Sequence, residues 1–280
     1  MKLPNFAYHL ARAEGRAVRA AYVAALGAIG SRLATIKSDV GFAVCSYSGE
    51  AMLPEQVASI RSFLRFAGRP RRFVVFSDGT HSKRSIELLR RIDRCVEVRD
   101  VPRIDDAIGS SRAYLETHAT GRQLALMMSL PLEMPTLYVD SDVLFFPAAK
   151  NIETLLSATA SAPASYLPDC QLEADERLFR AAEERTNPVN TGMIYFRQKL
   201  DWSIALRRFG ELDGEPRFHT NQTLTHLVMH ANGAAPLDRK MFVLQLDDQF
   251  TYRDAYAAST IAARHYVNPV RHKFWTALRR

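Results

Sequence analysis

Two aspartates separated by a single residue, Asp140-Ser141-Asp142, are the part of this 280-residue chain whose types and spacing most directly invite chemistry. In extended backbone, side chains two apart point to the same side, so both carboxylates are placed to share one hard divalent cation. Mn2+ or Mg2+ held there would bridge the phosphates of a nucleoside diphosphate and neutralise the charge that develops as it departs. Taken alone the pair is equally compatible with turn chemistry at a strand end, where Asp bonds its own backbone. A second cluster adds weight: His265-Tyr266-Val267-Asn268-Pro269-Val270-Arg271-His272-Lys273-Phe274-Trp275 supplies an imidazole for a metal and cations for phosphate.

Such residues need elements to hold them. From Gly41 onward short apolar runs alternate with helical periodicity: a strand at 42–45, a helix over 54–66, a strand at 73–76 closed by Ser77-Asp78-Gly79, a helix over 82–92, a strand at 96–98. That alternation predicts parallel strands joined by right-handed crossovers. A helix over 111–130 leads through Pro131 and Pro135 into a strand at 136–139. Asp140 and Asp142 therefore fall at a strand's C-terminal end, where open α/β sheets bind ligands. Farther on, 164–168 reads as an apolar run, 190–192 as a turn before a strand at 193–196, and 219–230 as a helix carrying Gln222. Ahead of all this, 6–36 reads as an Ala- and Arg-rich helix with Arg12, Arg16 and Arg19 on one exposed face. It sets off an N-terminal basic arm, 1–38, from a domain over 39–280.

Composition narrows the class. Hydrophobic residues make up 47% and charged residues 24%, the profile of a globular protein. The formal charge of +7 favours anionic partners. Cys45, Cys95 and Cys170 are far apart without a CxxC spacing, which argues against a zinc site or a disulfide framework and fits a reducing compartment. Pro4, His9, Arg12, Glu14 and Arg16 interrupt any apolar leader, and the apolar window from Ala20 to Ser31 is too short to span a bilayer. A cytoplasmic protein without a membrane-spanning helix is expected. The run Arg65, Arg69, Arg71, Arg72 has poor aromatic interleaving, so no nucleic-acid partner is expected. The basic arm suits peripheral contact with anionic membrane at the inner membrane surface.

Four segments, in order, resemble the retaining glycosyltransferases of the type-A (GT-A) fold, a Rossmann-like mixed sheet flanked by helices. Among them the resemblance is to family eight, which includes glycogenins and bacterial lipopolysaccharide galactosyl- and glucosyltransferases. Leu137-Tyr138-Val139-Asp140-Ser141-Asp142-Val143-Leu144 looks like the family's metal-binding segment, and Asn190-Thr191-Gly192-Met193-Ile194 is similar to its Asn-Ser-Gly element. Thr220-Asn221-Gln222-Thr223-Leu224-Thr225 resembles Asp-Gln-Asp-x-Leu-Asn, with Asn221 and Thr223 where the family has acids. The segment 265–275 resembles His-x-x-Gly-x-x-Lys-Pro-Trp, with Asn268 for the glycine and two extra residues before Lys273. The resemblance spans 42–275.

It implies a metal held by Asp140, Asp142 and His265. It implies donor contacts from Ser46 and Tyr47 at the base, from Asp78, Arg122, Asp140 and Ser141, and from either Arg271 or Lys273 at the diphosphate. Gln222 is placed on the acceptor-facing side of the anomeric carbon, with Asn190 and Asp169 near the sugar. The implied donor is UDP-glucose or UDP-galactose and the acceptor a glycan, a lipid-linked glycan or a protein, with loops 171–188 and 247–256 shaping its site. The replaced acids beside Gln222 leave open a non-catalytic nucleotide- or glycan-binding relative. A nucleotidyltransferase ranks lower, because the first strand runs into Ser46-Tyr47-Ser48-Gly49-Glu50 with a single glycine.

Overall fold

The computed structural model describes residues 5–30, 36, 38–102 and 110–279. The chain opens with α1 (Phe6–Ala24), capped by Asn5 Oδ1 accepting from Tyr8 N, and the short α2 (Leu26–Gly30). The remainder of the expected first helix, 31–35, lies outside the described residues. The predicted βα alternation follows as β1 (Ala43–Ser48), α3 (Leu53–Phe66), β2 (Phe73–Ser77), α4 (Lys83–Arg91) and β3 (Val96–Asp100). Pro54 in the first turn of α3 and the Ser82 side chain capping α4 set these starts.

The single helix expected over 111–130 is two, α5 (Ser110–Thr117) and α6 (Ala119–Ser129). His118 between them takes extended backbone, and its Nδ1 accepts from Thr120 N to start α6 afresh. Then come β4 (Thr136–Val139), β5 (Val143–Phe145), α7 (Ile152–Ser157), β6 (Ala164–Pro168), β7 (Val189–Phe196), α8 (Ser203–Gly210) and α9 (Thr220–Ala231). The short β8 (Ala235–Pro236), β9 (Phe242–Val243), β10 (Ala263–His265) and α10 (Phe274–Ala277) close the chain.

Seven strands form one sheet in the order β3-β2-β1-β4-β7-β6-β8, and β5-β10-β9 form a smaller one. β1 pairs parallel with β2 and β4, as predicted, whereas β7 lies antiparallel to both β4 and β6. Helices cover both faces of the large sheet, which is why its strands read as apolar runs instead of alternating patterns. Val44, Val75 and Leu137 pack with Ile60 and Phe63 of α3 on one face. Val74, Tyr138 and Ile194 pack with Leu124 of α6 and Leu224 of α9 on the other.

Helix α1 docks on the C-terminal segment. Its Gly15 lies so close to the chain at His272 that an added Cβ would stand 2.2 Å from the His272 carbonyl oxygen. Arg12 and Arg16 are exposed, as the spacing predicts. Arg19 instead turns inward to Glu55, with Nε donating to Oε1 at 2.6 Å. No helix among the described residues is long and apolar enough to cross a membrane.

Candidate active site

Strand β4 ends at Val139, and the chain turns before β5 carries it into the smaller sheet. Asp140 N donates to Gly192 O at 2.8 Å and Val143 N to Asp140 O at 3.2 Å, which fixes that turn. β10 pairs with β5 so that His265 stands opposite Val143, and Tyr266 N donates to Asp142 O at 3.0 Å. This register delivers the imidazole to the carboxylates. His265 Nε2 lies 3.0 Å from Asp142 Oδ1 and 3.6 Å from Asp140 Oδ2, and ligand atoms of the three residues lie within 4.8 Å of one another. Arg271 Nη2 donates to the other Asp142 oxygen, Oδ2.

Asn190 selects the tautomer of His265. Its Nδ2 donates to Asp169 Oδ2 at 2.9 Å and its Oδ1 accepts from Gly192 N at 2.9 Å, so the amide has one orientation. That same Oδ1 lies 2.9 Å from His265 Nδ1, which must therefore carry a proton. Nε2 then faces two carboxylate oxygens, a position that either a proton or a cation fills. Metal-binding histidines have this arrangement, the far nitrogen donating to a fixed acceptor. Two carboxylates and an imidazole form a donor set that fits Mn2+ or Mg2+.

The electrostatics agree with a site built around positive charge. Burial raises the Asp140 carboxyl to about 6 against the opposing pull of His265. Burial would raise Asp142 too, but His265 and Arg271 outweigh it and hold that carboxyl below its ordinary range. His265 is pushed down by burial and pulled up by Asp142, with a net rise. His265 and Arg271 thus both face the carboxylates of Asp140 and Asp142 from the C-terminal segment.

These groups line a cleft of about 320 Å³ at the C-terminal end of β4. Of the residues singled out from sequence, Tyr47, Asp140, Asp142, Asp169, Asn190, Gln222, His265 and Arg271 line it. Gln222 Nε2 donates to Asp169 Oδ2 at 3.3 Å and to Glu173 O at 3.2 Å, which leaves the amide oxygen for the cleft.

Five are not brought there. Ser46 is buried with its hydroxyl unpartnered among the described residues, and Ser141 is buried beside the carboxylates it separates. Asp78 Oδ1 accepts from Thr80 N at 2.8 Å, and Arg122 Nη1 donates to the Asp78 carbonyl. Lys273 is only 1% exposed; its ammonium donates to Thr251 Oγ1 at 2.9 Å and Arg253 O at 2.8 Å and pairs with Asp248 Oδ2 at 3.2 Å. Of the two candidate cations, the cleft receives Arg271.

Gln123 escaped the sequence reading. Its Nε2 donates to Asp140 Oδ1 at 2.9 Å and to Tyr138 OH at 2.7 Å, and its Oε1 accepts from Asn221 Nδ2 at 2.8 Å. Tyr138 OH donates to the same Asp140 oxygen at 2.7 Å. The nearest signal was its neighbour Arg122, one helical position away. Of the two loops expected to shape an acceptor site, 171–188 supplies Gln171 and Glu173, while 247–256 supplies no lining residue. Two acids of the second loop turn inward, where Asp248 and Asp254 pair with the buried Arg264.

No protein-family model matches the chain, and no curated protein matches it either. Solved structures do. The galactosyltransferase LgtC, as an active-site glutamine-to-glutamate mutant, matches with a TM-score of 0.57 at 12% identity, over 85% of this chain and 95% of its own. Mouse xyloside xylosyltransferase 1 matches at 0.57 and 13%, over 82% of this chain and 99% of its own. The fold is the type-A glycosyltransferase fold. The glycosyltransferase GlyE of Streptococcus pneumoniae shares it, with a TM-score of 0.54 at 12% identity over 85% of this chain and 60% of its own. In this type-A fold the cleft lies where β4 hands the chain to the smaller sheet.

Proposed function

We propose that the chain is a metal-dependent glycosyltransferase that moves a hexose from a nucleotide sugar, UDP-glucose or UDP-galactose by the sequence resemblance, to a glycan or lipid-linked acceptor with retention. One observation carries the reading: Asp140, Asp142 and His265 converge at 4.8 Å or less beside Arg271, in a cleft that Gln222 also lines. LgtC lends support, since its structures include an active-site glutamine mutant and a complex with donor and acceptor sugar analogues.

A divalent cation bound by Asp140, Asp142 and His265 would supply Lewis-acid neutralisation of the donor diphosphate. Asn190 holds His265 in the tautomer that presents Nε2, and Gln123 with Tyr138 holds the Asp140 carboxylate. Arg271 exchanges its bond to Asp142 for one to the diphosphate. Asp169 accepts from hydroxyls of the donor sugar. The Gln222 amide oxygen is neutral and a poor nucleophile, so its role is to face and stabilise oxocarbenium-like charge at the anomeric carbon. The bond from that carbon to the phosphate oxygen breaks, the acceptor oxygen bonds the same face, and its proton passes to the departing phosphate.

The rival reading, a nucleotide- or glycan-binding relative without turnover, draws on Asn221 and Thr223, which stand where the resembled family has acids. Both serve local packing: Asn221 bonds Gln123, and Thr223 Oγ1 accepts from Asp175 N at 2.8 Å. Thermal melts with UDP and UDP-sugars, with and without Mn2+, test the donor site. Ligand at about 100 times its Kd adds about 2.7 kcal/mol, worth roughly 5–11 °C for a domain of this size. A shift that requires Mn2+ and disappears in Asp142→Asn is expected, together with metal-dependent release of UDP from the donor. Absence of any nucleotide shift removes the transferase reading; a shift without turnover on donor or acceptor favours the rival.

A further inference from the structure

Helix α1 buries Ala11 and Gly15 against the C-terminal segment, and the face it leaves outside is apolar. At about 100° per residue, Phe6, Leu10, Ala13, Ala17, Ala20 and Ala24 fall within one arc about 100° wide. All six are exposed, Phe6 at 74% and Leu10 at 58%. Phe250, 54% exposed on the neighbouring loop, lies on the other side of the helix, its ring 5.7 Å from that of Tyr8.

Positive charge flanks this stripe. Arg12 and Arg16 are exposed along one side of it, and Arg253 and Arg279 are exposed on the adjoining C-terminal surface. The one acid in α1, Glu14, is engaged by Tyr252 OH at 2.6 Å and Arg279 Nη1 at 3.4 Å. The opposite, inward face of α1 adjoins the cleft. Gly15 and Tyr8 both pack on His272, the Tyr8 ring 5.3 Å from its imidazole, and His272 follows Arg271 directly.

We propose that the outward face of α1 docks on an anionic lipid membrane. A few large apolar anchors flanked by arginines is the composition of a helix that lies in the headgroup region. A second copy of the chain fits less well. A stable interface needs about 800 Å² per partner, and this stripe offers mainly alanine beyond Phe6 and Leu10. A two-fold pairing would also bring the arginine flanks together. Docked this way, α1 lies between the lipid and the cleft rim, a separation of about 10 Å that a lipid-anchored acceptor can span. That last step rests on the transferase reading; membrane docking does not.

Co-sedimentation of the full chain with vesicles tests it, using phosphatidylcholine alone and phosphatidylcholine mixed with phosphatidylglycerol. Binding to the mixed vesicles alone, weakened by high salt, is expected. Arg12→Gln with Arg16→Gln should weaken partitioning about 30-fold, at about 1 kcal/mol for each arginine near an anionic surface. Phe6→Ser with Leu10→Ser should also release the protein, while circular dichroism and the melting midpoint stay unchanged because both residues are exposed. No binding to anionic vesicles, equal binding to neutral ones, or binding untouched by both double variants overturns the proposal. So does a dimer in light scattering that Phe6→Ser with Leu10→Ser dissociates without any vesicle binding. None of these readouts depends on sugar transfer, so the two readings fail separately.

Discussion

Asn190 determines which nitrogen of His265 meets the carboxylates, and Gln123 determines how Asp140 is held. The first role follows from a residue that sequence spacing singles out; the second belongs to one that it does not. Asp140, Asp142 and His265 were legible because few residue types hold a hard cation and these occur in a recognisable order. Gln123 was not, because α6 restarts at His118 and the angular phase of a helix cannot be carried across that break. The choice between Arg271 and Lys273 was equally closed to sequence. Residues 271–273 form a 3-10 turn, and side chains two positions apart on such a turn point about 120° apart, so one cation meets the cleft and the other the interior. At this scale Gln123→Leu is the informative change. It removes the amide bonds to Asp140 and Tyr138 and leaves Asn221 Nδ2 without its partner. A loss of about 1–3 kcal/mol in denaturant unfolding is expected. Calorimetry should also show weaker Mn2+-dependent UDP binding; unchanged binding would mean that Tyr138 alone fixes Asp140.

Among the elements, β7 departs most from expectation. Asn190-Thr191-Gly192 has the composition of a turn, yet the strand begins at Val189 and contains all three. Its antiparallel pairing with β4 supplies the backbone that receives Asp140 N. Asn190 and Gly192, two apart in a strand, share a face, and His265 occupies that face. A Cβ on Gly192 would lie 2.0 Å from His265 Cε1, so here space, and not an unusual backbone angle, calls for glycine. Gly192→Ala should therefore displace the imidazole. Overpacking of this kind costs about 1–3 kcal/mol, measurable as a lower melting midpoint. The decisive result would be loss of the Mn2+-dependent nucleotide shift; if that shift survives, His265 is not required for cation binding. The parallel block β1 to β4 was readable from its βα alternation, whereas the antiparallel direction of β7 was not, because an apolar run buried on both faces carries no mark of which way it pairs.

On the scale of the whole molecule, the loop beside the C-terminal segment is pinned by charges sealed from water. Arg264 is fully buried and pairs with Asp248 at 2.8 Å and with Asp254, while Lys273 pairs with Asp248 from the other side. Burial alone would raise the Asp248 carboxyl, but the hydrogen bonds and charge of Arg264 outweigh it and hold it below its ordinary range. A carboxyl whose folded pKa is depressed contributes stability above its unfolded value, and that contribution is lost as pH falls through the folded one. Asp93 and Asp175 are depressed in the same sense, burial opposing in each case the hydrogen bonds that prevail. The contribution of these three carboxyls to unfolding free energy should therefore be full at neutral pH and decline below about pH 4. Asp248→Asn should flatten part of that decline and cost about 3–5 kcal/mol at neutral pH by leaving the buried Lys273 without its carboxylate and Arg264 with Asp254 alone. A full-strength acid decline in that variant would place the titration elsewhere.

His265 reaches Asp142 across 123 positions of chain. A ribosome therefore releases the carboxylate pair well before the imidazole that completes it, a gap on the order of ten seconds at about 5–20 residues per second. Throughout that interval the nascent chain has Asp140 and Asp142 but neither His265 nor Arg271. In zinc fingers the ion drives folding; here the last ligand is delivered by the pairing of β10 with β5. On the proposed function, ion loading would therefore follow translation, governed by which cation surrounds the finished protein instead of which one meets the emerging chain.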